Sequence, residues 1–292
     1  MMRDRRSLLQ GLCAGGAVAA TASVASARQR EAAGRDDVGM LYDSTLCIGC
    51  KARVVRCKEV NGLPPDTAEH GPLWDAPDGL SSTTKNVIKL ARDGERTGFM
   101  KQQCMHCVDP ACVSSCMLGA LHRVEGGIVA YDKDSCVGCR YCQIACPYGV
   151  PTLDFLSATP KIVKCELCRD RLAEGKLPGC VEVCPREAVI FGKRAALLAE
   201  AKARIAARPS VYQPRVFGES DGGGTHVLYL SALPFASLGL PDLGPDSPAY
   251  TTERLQDTLY QGFIAPVALY GALAFVTLRN RGKAPPEGGS ES

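Results

Sequence analysis

Fifteen of the sixteen cysteines in this 292-residue chain fall into four compact blocks between residues 47 and 184. The second block reads Cys104, Cys107, Cys112, Cys116, the third Cys136, Cys139, Cys142, Cys146, and the fourth Cys165, Cys168, Cys180, Cys184. The first holds Cys47, Cys50 and Cys57, with Arg53 where the spacing asks for a third thiolate. A C-x2-C-x2-C-x3-C run converges thiolates on one small inorganic core, which is the chemistry of an iron-sulfur cube. In two-cluster ferredoxins the fourth cysteine of such a run ligates the neighbouring cluster, so blocks are expected to work in pairs. The third block has this spacing to the residue and is followed by Pro147, and Pro185 follows the fourth.

Two other uses of cysteine compete with this one. Zinc also takes C-x2-C pairs, but it needs two well-separated pairs per ion, and three thiolates within seven residues, as in Cys136 to Cys142, suit a cube better. Abundant cysteine in an exported protein can mean a disulfide framework, against which stand the close spacing and the odd number of thiols in the blocks. Other chemistry is not indicated. Of four histidines only His106 lies within a block, and it reads as a supporting or surface residue. Gly222-Gly223-Gly224-Thr225 lacks the lysine and preceding strand of a phosphate loop and reads as a turn. No nucleophile with its base, carboxylate pair or dinucleotide fingerprint is present, so no catalytic residue is nominated.

The elements that must position the blocks are short. Gly127 to Tyr131 and Ala188 to Phe191 are β-branched runs flanking blocks, and Lys193 to Ala207 has a helical pattern with Leu197, Leu198 and Ala201 on one face. Residues 58–101 form an insertion, with Trp74 and a short helix expected near Thr84 to Ala91; residues 208–256 are rich in Pro and Gly, with one strand-like run at Val227 to Leu230.

The two ends carry address signals. Residues 1–27 combine Arg5-Arg6, an apolar run from Leu8 to Val24 and Ala25-Ser26-Ala27, the pattern of a cleaved twin-arginine export signal. That route carries folded proteins, so clusters could be inserted before export. Cys13, inside the signal, reads as an incidental apolar residue. Leu259 to Leu278 has no charge and, at 1.5 Å per residue, is long enough as a helix to cross a bilayer; Arg279, Arg281 and Lys283 follow it and place the C-terminus in the cytoplasm. The formal net charge of +3 excludes a nucleic-acid polyelectrolyte. The expected fold is α+β: two paired ferredoxin-like double-cluster modules with a C-terminal transmembrane helix. Its expected segments are a signal at 1–27, a cluster domain at 39–195, an extension with little regular structure at 196–256, a transmembrane helix at 257–279 and a cytoplasmic tail at 280–292.

Taken in order, GMLYDSTLCIGC at 39–50, KQQCMHCVDPACVSSC at 101–116, YDKDSCVGCRYCQIACPYGVP at 131–151 and LPGCVEVCPREAVIFG at 177–192 resemble the four-cluster ferredoxin-type subunits of respiratory membrane oxidoreductases. Within that family the chain is most similar to electron-transfer subunits of periplasm-facing nickel-iron hydrogenases of the hydrogenase-2 type. Iron-sulfur subunits of formate dehydrogenase and other molybdoenzymes share the core and form the alternative, but they generally lack a twin-arginine signal of their own. The resemblance implies a non-catalytic subunit in anaerobic respiration, at the periplasmic face of the inner membrane. Its implied partners are the hydrogenase small and large subunits and a polytopic quinone-reducing membrane subunit.

The resemblance also implies that the first block pairs with the fourth and the second with the third. Cys104, Cys107, Cys112 and Cys146 would then hold one cube, Cys136, Cys139, Cys142 and Cys116 another, and Cys165, Cys168, Cys180 and Cys57 a third. Cys47, Cys50 and Cys184 would remain for a fourth site, with Arg53 at the missing-ligand position and not itself a ligand. A three-iron cluster, a labile cube with a non-protein ligand, an empty site and a sequence error are all open outcomes there. Met117, where many such blocks have proline, is a smaller departure.

Overall fold

Cysteine loops fix short stretches of backbone, so the elements between them are brief. The computed structural model describes residues 32–67, 76–155 and 157–281. The signal at 1–27, Trp74 and the tail from 282 onward, Lys283 included, lie outside the described residues. In chain order come β1 (Val38–Asp43), α1 (Ala52–Val60), β2 (Val87–Asp93), β3 (Arg96–Gln102), α2 (Ala111–Ser114), β4 (Leu121–Val124), β5 (Ile128–Tyr131) and α3 (Tyr141–Ala145). These are followed by β6 (Thr152–Leu153), β7 (Ile162–Val163), α4 (Arg169–Ala173), α5 (Gly179–Glu182), β8 (Val189–Lys193), α6 (Arg194–Ala207), β9 (Val227–Leu230) and α7 (Pro248–Asn280).

Strand pairing couples the cysteine blocks two by two. β1, just before the first block, pairs antiparallel with β8, just after the fourth; β4, just after the second block, pairs antiparallel with β5, just before the third. Helix packing follows the same rule, since α1 packs on α5 and α2 on α3. Gly179 permits the first contact: a Cβ there would stand 3.1 Å from the Val60 side chain.

The extension after α6 supplies much of the core. β9 adds a parallel third strand beside β1, and Phe217, Tyr229, Leu233, Phe235, Leu238 and Leu240 pack with Met40 and Tyr42. Tyr229 meets the rings of Tyr42 and Phe217 edge-on, at 5.4 and 6.3 Å between centroids. Leu197 and Ala201 of α6 are buried against Leu41, Leu228 and Leu230.

One element differs from expectation. The helix anticipated near Thr84 to Ala91 is instead strand β2, paired over its whole length with β3. β-branched Val87 and Ile88 are buried, and Asp93-Gly94 turns the hairpin with Gly94 at φ 60°, a left-handed geometry that glycine adopts without penalty.

Two buried histidines tie the modules together. His226, at the head of β9, lies 2.8 Å through Nε2 from Asp37 Oδ2 and 2.5 Å through Nδ1 from the His106 carbonyl. Gly127 makes room for this pair: it has φ +74°, and a Cβ there would stand 2.3 Å from His226 Nε2. Gly127→Ala is therefore expected to cost about 2 kcal/mol, combining left-handed strain with a collision. Gly126→Ala, at φ +77° with only Val38 nearby at 3.3 Å, carries the strain alone. Thermal unfolding of the two variants should show the larger loss at Gly127.

Candidate functional site

Each block folds as the same tight loop. The residue before the second cysteine has a left-handed backbone in all four: Gly49 at φ 70°, His106 at 46°, Gly138 at 73° and Leu167 at 56°. Such a φ is costly for a bulky buried side chain like Leu167 and persists only where the surroundings impose it. The exits match as well. Gly119, Gly149 and Glu187, each three residues beyond the last cysteine of a block, have positive φ and donate a backbone hydrogen bond to that cysteine's carbonyl.

The loops bring the thiols into four groups. Cys107 is surrounded electrostatically by Cys112, Cys146 and Cys104, Cys142 by Cys139, Cys116 and Cys136, and Cys57 by Cys165, Cys180 and Cys168. Cys47 and Cys184 flank Arg53. The groups adjoin in sequence: Arg53 also feels Cys180, Cys104 feels Cys165, and Cys112 feels Cys142. Cys139 in the last group is exposed, as is Cys50 in the loop of the first block. All fifteen block cysteines are free thiols, which removes the disulfide framework.

Among the described residues no three His, Cys, Asp or Glu side chains stand close enough to hold a single metal ion. The thiols ring cavities instead. One cavity of about 160 Å³ is lined by Cys116, Cys136, Cys139 and Cys142 with the apolar side chains of Met117, Leu118, Val137 and Ile162. A smaller one is lined by Cys57, Cys165, Cys168 and Cys180.

Burial, with repulsion among the sulfurs, pushes Cys57 and Cys142 up to about 12 and Cys168 to about 11. As bare thiolates these groups would be strongly disfavoured, whereas a cationic iron core offsets their charge. Backbone donors are aimed at sulfur: Leu167 N lies 3.4 Å from Cys165 Sγ and Ala188 N 3.2 Å from Cys184 Sγ. Soft thiolates around cavities, with amide donors turned inward, fit iron-sulfur cubes.

The first group differs in one residue. Arg53 stands in α1 where Cys142 stands in α3: each follows a left-handed residue, Lys51 or Arg140, that caps its helix. The guanidinium is buried, with Nη2 2.9 Å from Cys47 Sγ and its carbon 5.2 Å from the centre of the Tyr42 ring. Its Nη1 is buried without a hydrogen-bond partner. Burial alone would lower the arginine pKa, but Cys47, Tyr42 and Cys184 reverse this and raise it.

Sequence marked His106 and the triple glycine but not what they support, and it held no sign of His226. His106 accepts from Val129 N at 3.1 Å through Nδ1, so its Nε2 carries the proton, and burial beside Lys164 holds the ring neutral. Gly224, Thr225 and His226 run against the second block: Val108 N donates to the Gly224 carbonyl at 3.0 Å, and His226 N to the His106 carbonyl at 3.0 Å. The triple glycine is thus a turn that backs a cysteine loop. Asp-Gly at 93–94 was the one available signal for the hairpin in front of the second block.

Among the described residues one helix is long and apolar enough to cross a membrane, Pro248–Arg279, and the chain itself buries none of its apolar window. It starts beside the second block, where Ser247 Oγ donates to the Asp109 carbonyl at 3.0 Å and accepts from Ala249 N at 3.1 Å. Its first turns pack on α2 and α3, which carry Cys112 and Cys142.

Residues 96–194 match the 4Fe-4S dicluster domain family. The chain is 42% identical over 289 residues to the hydrogenase-2 operon protein HybA of Escherichia coli O157:H7, covering 87% of this chain and 88% of that protein. It is 32% identical over 246 residues to the nitrate-inducible formate dehydrogenase iron-sulfur subunit of Escherichia coli K12, covering 82% of this chain and 81% of the relative. The chain belongs to the family of ferredoxin-type iron-sulfur electron-transfer subunits of respiratory oxidoreductases, and it is not a catalytic subunit.

Proposed function

We propose that this subunit passes electrons from an exported nickel-iron hydrogenase to a quinone-reducing membrane subunit. The observation that carries this reading is the succession of four adjoining thiol groups, with an exposed cysteine at either end, Cys139 in the last group and Cys50 in the loop of the first block. Bound iron-sulfur clusters would supply one-electron oxidation and reduction; the chain's own share is to hold them in line and tune their potentials. Cys104, Cys107, Cys112 and Cys146 would hold one cube, Cys116, Cys136, Cys139 and Cys142 a second, and Cys57, Cys165, Cys168 and Cys180 a third.

The fourth site has Cys47, Cys50 and Cys184 only. Three thiolates match a three-iron cluster, and Arg53 Nη1, a buried donor with no protein acceptor, favours an inorganic sulfide beside it. At an assumed separation of about 6 Å and an effective dielectric of about 20, the arginine attracts an added electron by about 3 kcal/mol, on the order of 100 mV upward before screening.

The apolar helix α7 anchors the subunit, with the cluster body on the periplasmic side and Arg279 and Arg281 on the cytoplasmic side. Met117, Leu118, Val137 and Ile144 are exposed around the last thiol group, next to the start of α7, and support docking of that end on the membrane partner. Deleting residues 258–292 is expected to release the subunit from the membrane fraction; a truncated chain that stays in the intact complex on a native gel would contradict the anchor.

Metal analysis of the native complex tests the choice of partner. Nickel co-purifying with this chain is the expected result, and molybdenum would assign it to a formate dehydrogenase or a related complex, a reading favoured by the relationship to the formate dehydrogenase subunit.

A further inference from the structure

Lysine is rarely buried, yet three of the described lysines, Lys58, Lys101 and Lys164, lie in the interior of this protein. Lys101 is 0% exposed and Lys164 2%. The Lys101 ammonium donates to Gln103 Oε1, and the Lys164 ammonium to the carbonyls of Val129 at 2.5 Å and Cys165 at 3.1 Å. Every one of these acceptors is neutral. By contrast, the other buried lysine, Lys58, has an ordinary partner, Asp66, at 2.6 Å. A buried ammonium facing only neutral acceptors is strongly unfavourable unless a negative charge stands near it.

The nearby negative charge belongs to the sulfurs. Lys101 acts on Cys57, Cys165 and Cys168, all of one group. Lys164 acts on Cys104, Cys112 and Cys146 and also on Cys165, so it stands between two groups. The first group has Arg53 in a comparable position, whereas the last group has nearby the exposed Lys161, 2.7 Å from the Cys136 carbonyl. Three of the four groups thus each have a desolvated cation, and one of those cations, Lys164, is shared between the two interior groups.

We propose that Lys101 and Lys164 are fixed counter-charges that raise the reduction potentials of the two interior clusters, with Lys164 also moderating the repulsion between electrons on adjacent sites. This rests on the assignment of the thiol groups to iron-sulfur clusters. Both are positioning residues: neither ligates iron nor exchanges an electron. Each ammonium is held by carbonyl or amide oxygens in a site from which water is excluded, so its field reaches the sulfurs with little screening.

The test is an EPR-monitored potentiometric titration of the full-length holoprotein and its Lys101→Met and Lys164→Met variants, with iron and acid-labile sulfide measured on each. Lys101→Met is expected to lower the reduced-to-oxidised ratio of one cluster about tenfold at fixed potential, a shift of about 59 mV for one electron. Lys164→Met should lower two. Wild-type iron content with unchanged midpoints in both variants would overturn the proposal.

If a methionine variant fails to retain iron, the corresponding Lys→Arg variant decides. Iron and midpoints restored to wild-type values support a role for the charge, while an iron-free Arg variant, or one with iron but a lowered midpoint, overturns it. An unaltered protein with no iron-sulfur chromophore would instead refute the electron-transfer assignment on which the proposal rests.

Discussion

Arg53→Cys is expected to convert the first thiol site from a three-iron to a four-iron centre. The substitution places a thiol at the position in α1 that Cys142 holds in α3, in a loop with the same left-handed residues before and after the second cysteine. It also removes a buried guanidinium lying 2.9 Å from Cys47 Sγ. Two consequences should appear together. Iron should rise by about one atom per chain, because a fourth thiolate completes the ligand set of a cube. The near-isotropic EPR signal that an oxidised three-iron cluster gives should vanish, and the midpoint of the new centre should fall on the order of 100 mV as the arginine's field is lost. Arg53→Met separates the two effects, since it removes the charge without adding a ligand: it should keep the signal and lower the midpoint alone. An Arg53→Cys protein with unchanged iron and spectrum would contradict this account of the site.

Cys146→Ala should damage a cluster other than the one its own block encloses. Cys146 belongs by sequence to the third block, but its electrostatic neighbours are Cys107, Cys112 and Cys104 of the second. The variant is therefore expected to lose the cluster held by the second block, about four irons, or to keep it as a three-iron remnant, while the cluster at Cys136, Cys139 and Cys142 retains its spectrum. Cys142→Ala should do the reverse. EPR of the two reduced proteins, side by side, checks the crossing. If both variants lost the same cluster, the blocks would not exchange their fourth cysteines.

The cysteine blocks were legible because thiolate spacing is set by covalent geometry, and no tertiary context alters it. The strands Val227–Leu230 and Ile128–Tyr131 and helix Arg194–Ala207 were legible for a related reason: their apolar runs or faces become buried. What sequence concealed depended on tertiary contact. Thr84 to Ala91 suggested a helix, yet burial of Val87 and Ile88 together with the Asp93-Gly94 turn makes it a strand. Residues 208–256 looked like a loose extension because Pro and Gly punctuate them, whereas Phe217, Tyr229 and Phe235 anchor the core. His226 lies 120 residues from His106, and only the parallel pairing of β9 with β1 brings it to the second block. Lys101 and Lys164 carry no signal of burial at all, since lysine in a sequence reads as surface.

Iron and acid-labile sulfide counted per chain on full-length protein isolated without oxygen, with an EPR spectrum of the oxidised state, test the central claim most directly. The expected result is about fifteen irons, from three four-iron clusters and one three-iron cluster, together with a three-iron signal. A colourless protein without labile sulfide would contradict the assignment of these thiols to electron transfer, and about sixteen irons with no such signal would contradict the role given to Arg53.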